Sequence, residues 1–597
     1  MTKTGIPKPK TAEETSQLIK VALGEEKADL AVVNAKIVNV YTGEILEDQS
    51  VTVKGEWIAY VGQNAENSIG PQTEVIDARG QTVIPGLVEG HTHIAWLYTA
   101  YEFLKHVIPG GTTTIVTETF EVYPVSGYDG VVDFLESLKD QPIKIFGTAP
   151  AMISISPAAR GIPSATLEKL LARDDVLGMG ESYWQAVLQE PDKILPLYEQ
   201  TLMAGKTIEG HSAGASDKKL AAYVGCGISS CHEPINADQV LERMRMGLHI
   251  MIREGSIRRD LEEIANIKNN NIDLRRLILS TDGVEPEDLL EKGFMEFVLQ
   301  KAISCGFDPV AAIQMATLNV AEHFSLDAFI GGIAPGRYAD MIIIPDVHTI
   351  NARLVISKGR VIAREGKILV APRKHEYTNQ SLNSVKLLRD MEPADFSIRI
   401  EKDTARIKVR VIDMVTDLVT AELETQWPVI DGQLHPDLHQ DVVKVSAIDR
   451  THHPGKIFNG LIKGFGLKSG AMACSAAWDT SDIIVVGADD GDMACATNRI
   501  HTLQGGAVVC DKGRILIELP LPVFGIMSDF PMEDITRRLK EIKKAVSDLG
   551  VRHPDPLLTL ITLTGAAIPY LRICEEGLVN LKDGKTRSLI VNQSKNT

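Results

Sequence analysis

The chain has 597 residues, 44% hydrophobic and 24% charged, with a formal net charge of −17. That length exceeds what a single core serves and suggests about three domains, while the composition is that of a folded chain rather than a disordered one. Phosphate backbones and anionic membrane surfaces require basic patches, so neither nucleic acid nor membrane is expected as a partner, and a small molecule is.

The opening, MTKTGIPKPKTAEET, is polar without an apolar signal core, and no run of about 18 apolar residues follows it. Cysteines at 226, 231, 305, 474, 495, 510 and 574 form no Cys-x-x-Cys pair, which fits a reduced, cytoplasmic setting. Residues 30–84 read as short strands, with turn signals at Thr42-Gly43 and Lys54-Gly55. The stretches 331–346 and 352–369 share that texture. A composite β-sandwich domain is therefore expected from both flanks of the central region, 1–84 together with 326–375.

Between the flanks, eight apolar strand-like runs alternate with amphipathic helix-like stretches. The runs are 82–94, 112–119, 143–151, 175–182, 207–213, 227–234, 249–256 and 276–283; helices are predicted over 130–140, 165–175 and 259–270. This is the pattern of an α/β domain, a (β/α)8 TIM-like barrel over 85–325. The remainder, 376–597, reads as an α+β domain. It has strand alternation over 396–414, then strand, helix and hairpin over 482–522, with the turn at Asp511-Lys512-Gly513.

Polar residues with metal-binding chemistry fall at the ends of these runs. His91 and His93 close the first, Glu181 the fourth, His211 the fifth, His232 the sixth and Asp282 the eighth. Residues i and i+2 of an extended chain project from one face, so the two histidines of EGHTHI can point at one ion. In barrels of this type, side chains from different strands converge at the C-terminal strand ends. Four imidazoles and two carboxylates suit Mn, Fe or Zn better than Ca or Mg, and two divalent ions is the natural count. Glu181 can bridge them, and water held there loses a proton near neutral pH. Taken singly, each residue has an ordinary structural reading: His211 and His232 as hydrogen-bonded loop histidines, Glu181 as a helix-capping acid, Asp282 as an N-cap after Ser280-Thr281. Chance would scatter them over both strand ends and the helices, so their coincidence favours a shared centre.

With the order His-x-His, Glu, His, His, Asp assembled, the chain resembles the amidohydrolase superfamily and, within it, the adenine deaminases. The likeness rests on IPGLVEGHTHI, GGTTTIVTET, VLGMGES, EGHSAG, SSCHEP and STDG, and downstream on GFGLKSGAMACSAAWD, DIIVVGADDGDMACATNR and LPLPVFGIMSD. It implies that His91, His93, Glu181 and Asp282 bind one ion, and that His211, His232 and the shared Glu181 bind the other. It also implies that Asp282 carries a proton from the attacking hydroxide to the leaving nitrogen. Glu233 either contacts the heterocycle and shares the proton traffic or orients a histidine, and Arg253 either faces the substrate or pairs with an acid. The implied reaction is adenine plus water to hypoxanthine plus ammonia; the alternative is another purine, a pteridine or a cyclic amide at the same metals. A metal-free scaffold is the reading from another class, and it is disfavoured because all six ligands are present. Homo-oligomers are expected from the resemblance alone.

Several family positions are altered. Ala95-Trp96-Leu97 stands where Glu-Ser-Ser is usual, Glu118-Thr119-Phe120-Glu121 replaces Asp-Pro-His-Glu, Gly283-Val284-Glu285 replaces Asp-Arg-His, and Trp478-Asp479 replaces His-Asp. Trp96, Glu118, Phe120, Glu121 and Arg253 are accordingly the candidate substrate contacts, with Trp96 and Phe120 able either to stack on a flat ring or to fill core.

Overall fold

The computed structural model describes residues 10–151, 154–401 and 404–591. Residues 1–9 of the polar opening lie outside the described residues. Among the described residues, no helix is long and apolar enough to cross a membrane, and the seven cysteines are unpaired.

The central region contains eight parallel strands, β1 (Leu87–Thr92), β2 (Thr112–Thr117), β3 (Lys144–Ala149), β4 (Val176–Tyr183), β5 (Thr207–His211), β6 (Ser230–Cys231), β7 (His249–Arg253) and β8 (Leu277–Ser280). Every residue of β1 to β4 is buried, as expected of parallel strands covered on both faces. The strands form two arcs, β1 to β5 in one sheet and β6 to β8 in another. The arcs adjoin at both ends. Ser229 N–H donates to the Ile208 carbonyl at 3.0 Å, and Asp282 N–H to the His91 carbonyl at 3.1 Å.

The first apolar run divides at Gly86. Thr82–Pro85 pairs antiparallel with Met341–Ile344 in a flank sheet, while Leu87–Thr92 becomes β1. A Cβ at Gly86 would lie 2.2 Å from Thr113 Oγ1, so only glycine fits at this crossing. The predicted helices at 130–140 and 165–175 overlap Tyr123–Leu138 and Ser164–Leu171, which end two and four residues earlier than expected. The third, 259–270, is instead one α turn, Leu261–Ile264, followed by a 3-10 turn, Ala265–Asn269, because the asparagine run after Lys268 has poor helix propensity.

Nine strands from the two flanks form one continuous sheet rather than two separate ones. Its core includes Leu30, Val32, Ile37, Val51, Ile58, Met341, Ile343 and Ile356. In the C-terminal part, eight strands make a second mixed sheet, with the helix Asp490–Leu503 packed on it. The hairpin of Gly506–Asp511 and Arg514–Pro520 turns at Lys512 and Gly513, whose φ values of 53° and 71° are those of a two-residue type I′ turn. The alternation read over 396–414 yields strands only at Ile398–Arg399 and Arg406–Met414, and residues 402–403 lie outside the described residues. Met527–Ser528 pairs in parallel with Leu97–Tyr98, which joins the C-terminal part to the mouth of the strand array.

Candidate metal centre

All six predicted ligands converge. Glu181 Oε1, at the end of β4, lies 3.2 Å from His91 Nε2, 3.3 Å from His93 Nε2 and 3.4 Å from His232 Nε2. Asp282 Oδ1 lies 3.2 Å from both His91 Nε2 and His93 Nε2. His211 joins from the other side through Glu233, whose Oε1 is 3.1 Å from His211 Nε2 and 3.4 Å from His232 Nε2. Two clusters result: His91, Glu181, His232 and Asp282, and His211, His232 and Glu233. His232 belongs to both, and its ring stacks on His91 with centroids 4.1 Å apart.

The backbone fixes these positions before the side chains do. Glu89 is fully buried on β1, and its carboxylate accepts from the N–H of His91 at 2.9 Å and of Thr281 at 3.0 Å. One side chain thus pins the segments carrying His91 and Asp282, at opposite ends of the strand order. Asp282 itself has φ 63°, a left-handed conformation that aspartate tolerates better than most residues.

Outer carboxylates stand behind two of the imidazoles. His93 Nδ1 is 2.5 Å from Glu121 Oε1, and His91 Nδ1 is 3.6 Å from Glu118 Oε1. With Nδ1 turned to Glu121, the His93 Nε2 faces the centre. Glu118 is held by the Thr148 hydroxyl at 2.7 Å and, unlike Trp96, Phe120, Glu121 and Arg253, does not line the cavity. Its predicted place against substrate is corrected to a place behind His91, because β2 turns it inward among buried strands. Arg253 lines the cavity and pairs with Glu233, with Asp282 Oδ2 at 3.2 Å and with Asp260 Oδ2 at 3.2 Å.

Burial and neighbouring charges set the protonation states. Burial works against the charged form of Glu181 and Asp282, but the surrounding imidazoles hold both carboxyls well below the usual range. Burial and the neighbouring His91 charge push His232 down to about 3, leaving it neutral. Burial also opposes charge on His91, yet Asp282 and Glu181 raise it to about 10, a proton that a bound cation would displace. Anionic oxygens and imidazole nitrogens aimed at common points are a donor set that fits divalent transition metals.

The cavity beside this cluster has a volume of about 390 Å³. Its wall combines Trp96, Phe120 and Ile257 with Leu418, Trp478 and Ile568 from the C-terminal part. Two altered family positions, Trp96 and Trp478, meet here edge to face with centroids 6.3 Å apart. Phe120 stands edge-on to His93 at 5.4 Å. Tyr183 was not predicted, although it lies two residues past Glu181 on β4 and period-two alternation aims it at the same face. Its hydroxyl is 3.4 Å from Asp479 Oδ1, and burial pushes the Asp479 carboxyl up to about 7. Nothing in the local sequence marked Leu418 or Ile568, which arrive on C-terminal loops.

The amidohydrolase family matches residues 82–364, and the adenine deaminase C-terminal domain matches residues 417–585. The adenine deaminase of Moorella thermoacetica is 36% identical over 97% of this chain and 98% of its own. That of Clostridium botulinum strain Loch Maree is 33% identical over 97% and 98%. Among solved structures, a β-aspartyl dipeptidase from Fervidobacterium islandicum is similar over 57% of this chain and 98% of its own, at 18% identity and a TM-score of 0.47. Full-length identity at this level, with both family regions in order, places the chain in the adenine deaminase family of the amidohydrolases.

Proposed function

We propose that this protein hydrolyses adenine to hypoxanthine: water adds at C6, the C6–N bond breaks, and ammonia leaves. The observation that carries the reading is Glu181 Oε1 within 3.4 Å of three imidazole Nε2 atoms, two from the end of β1 and one from the end of β6. His91, His93, Glu181 and Asp282 would hold one ion, and His211 and His232 with Glu181 the other, the metals being Mn, Fe or Zn. Such ions supply positive charge that makes a nearby water acidic at neutral pH and polarises the scissile carbon.

The chain's own groups then manage protons. Asp282 takes the proton released as water adds and passes it to the departing amine, so no proton is gained or lost between reactants and products. Arg253 holds Asp282 Oδ2 and Glu233 together and keeps both aimed at the cavity. Glu233, 3.1 Å from His211, is positioned to accept from a ring N–H of the substrate. The apolar wall excludes bulk water, which strengthens these interactions.

The same reading closes the two arcs into a (β/α)8 barrel and divides the chain into 1–84 with 326–375, 85–325, and 376–597. It also takes the protein to be a cytoplasmic homo-oligomer, which analytical ultracentrifugation and fractionation would test. The deamination itself is tested by incubating metal-replete protein with adenine and measuring hypoxanthine and ammonia. Equimolar release of both is expected. Neither product at any loading with Mn, Fe or Zn refutes the proposal.

A further inference from the structure

The C-terminal part supplies Leu418, Val419, Trp478, Ala567, Ile568 and Pro569 to the lining of the cavity. All but Trp478 lie in two connections: 418–419 joins the strands Arg406–Met414 and Thr420–Pro428, and 567–569 leads from the turn Thr562–Thr564 to the strand Leu571–Cys574. Connections are ordinarily the least fixed parts of a fold, so a wall built from them needs something to hold it. Arg572 meets that need. It is completely buried, and its guanidinium donates to four carbonyls: Ile568 at 2.5 Å, Leu418 and Pro569 at 2.8 Å each, and Thr562 at 3.2 Å. Three of these belong to lining residues. The fourth lies in the turn that holds Trp478, whose N–H donates to the Ile561 carbonyl at 3.3 Å and whose carbonyl accepts from the Thr564 hydroxyl at 2.6 Å.

No carboxylate is among the partners of Arg572, and burial lowers its pKa to about 9. A buried cation without an acid is costly, and filling space does not require one. What an apolar side chain cannot supply is a rigid planar fork of donors, which fixes the relative positions of the carbonyls it bonds. The start of the same connection is tied as well: the Ala566 N–H donates to Asp479 Oδ2 at 2.7 Å, and Asp479 Oδ1 lies 3.4 Å from the hydroxyl of Tyr183 at the end of β4.

We infer that Arg572 is a positioning residue for the substrate: it sets the connections 418–419 and 567–569 as a preformed wall against which the purine is held. This rests on the deamination reading above for the identity of the ligand. The side chains of Leu418, Ile568 and Pro569 offer only apolar contact, which holds substrate and transition state alike, so loss of the wall appears in KM rather than in kcat.

The test measures kcat and KM for adenine, metal content and melting curves on metal-replete full-length protein and on Arg572→Met and Arg572→Lys. Arg572→Met should raise KM by about 10- to 100-fold, with kcat and metal content within about threefold of the parent. Arg572→Lys should recover part of the loss, because an ammonium has three donors for four carbonyls. A folded Arg572→Met protein with KM within twofold of the parent overturns the inference, whatever its melting temperature, and so does a fall in kcat at unchanged KM. Should neither variant fold, hydrogen exchange of the parent decides. Slow exchange of the Thr420, Ala566 and Tyr570 amides without ligand supports a preformed wall, and fast exchange that slows only when adenine is added overturns it. No turnover of adenine by the parent at any metal loading refutes the deamination reading instead, and the same exchange measurement on the ligand-free protein then decides the inference.

Discussion

Glu121 touches the centre only through the back of an imidazole, and this makes it the sharpest test of how the site is built. Its Oε1 lies 2.5 Å from His93 Nδ1, and its Oε2 has no hydrogen-bond partner, so Glu121→Ala deletes one interaction and little else. A hydrogen bond involving a charged group is worth about 1.5–3 kcal/mol. Loss of an outer-shell partner of a metal ligand costs about 10- to 100-fold in affinity, or about 1.4–2.7 kcal/mol. The two ranges agree, and a 10- to 100-fold loss of metal affinity is expected. Glu121→Gln keeps a carbonyl acceptor and should lose less. Because Glu121 also lines the cavity, turnover cannot separate its roles. The assay is therefore metal affinity without substrate, by competition with a chromophoric chelator, alongside a melting curve of each metal-free variant. Affinity within twofold of the parent in a folded Glu121→Ala protein would show that His93 is aligned without Glu121 and would refute the reasoning.

Asp282→Asn keeps the shape of the proton carrier and removes its basicity, so kcat should fall by about 10² to 10⁴; metal content measured on the same sample must stay within a factor of two for the loss to count as proton transfer. Removing metal leaves Glu181, Asp282 and four histidines uncompensated in a buried site, and the melting temperature should fall, since a ligand at 1,000 times its Kd contributes about 4 kcal/mol; coincident melts with and without chelator would argue against a metal centre. Asp482 is fully buried, neither oxygen has a hydrogen-bond partner, and burial beside Glu575 and Asp449 pushes its carboxyl well above the usual range. The folded state therefore binds this proton more tightly than the unfolded state, and the stability it confers is lost as pH rises from about 4 through the folded value, at about 1.4 kcal/mol per unit. Urea melts of Asp482→Asn should show a gain over the parent that is larger at pH 8 than at pH 5, and a pH-independent offset would contradict the assignment.

The strands of the central region were legible because parallel strands buried on both faces leave short apolar runs, such as VLGMG at the start of β4, that no amphipathic helix produces. Division of the first run was not legible. TVIPGLVEGHT reads as one strand, and only the crowding of Gly86 against Thr113, 27 positions downstream, sends its two halves into different sheets. The residues 259–270 failed for the opposite reason: Leu261 and Ile264 have helical spacing, but the asparagines that follow do not sustain it.

The metal ligands were legible for a physical reason that does not extend to the rest of the site. A ligand must be a particular residue type at the end of a particular strand, so chemistry and position are both written in the chain. Residues that orient those ligands are constrained only to be acceptors within reach, and Glu89, Glu118 and Glu121 look alike in sequence. In the fold, Glu89 pins two backbone segments, Glu118 stands behind His91, and Glu121 faces both His93 and the cavity. Their roles come from the fold, which puts the Glu89 carboxylate under the N–H groups of His91 and Thr281. The wall of the cavity is less legible still, because apolar contact specifies neither residue type nor strand. Trp96 and Trp478 are 382 positions apart, and their meeting depends on how the C-terminal part is anchored at Met527–Ser528 along Leu97–Tyr98. A sequence of this kind therefore reveals its reaction earlier than its substrate: the reaction is held by residues that cannot be exchanged, and the substrate by surfaces that can.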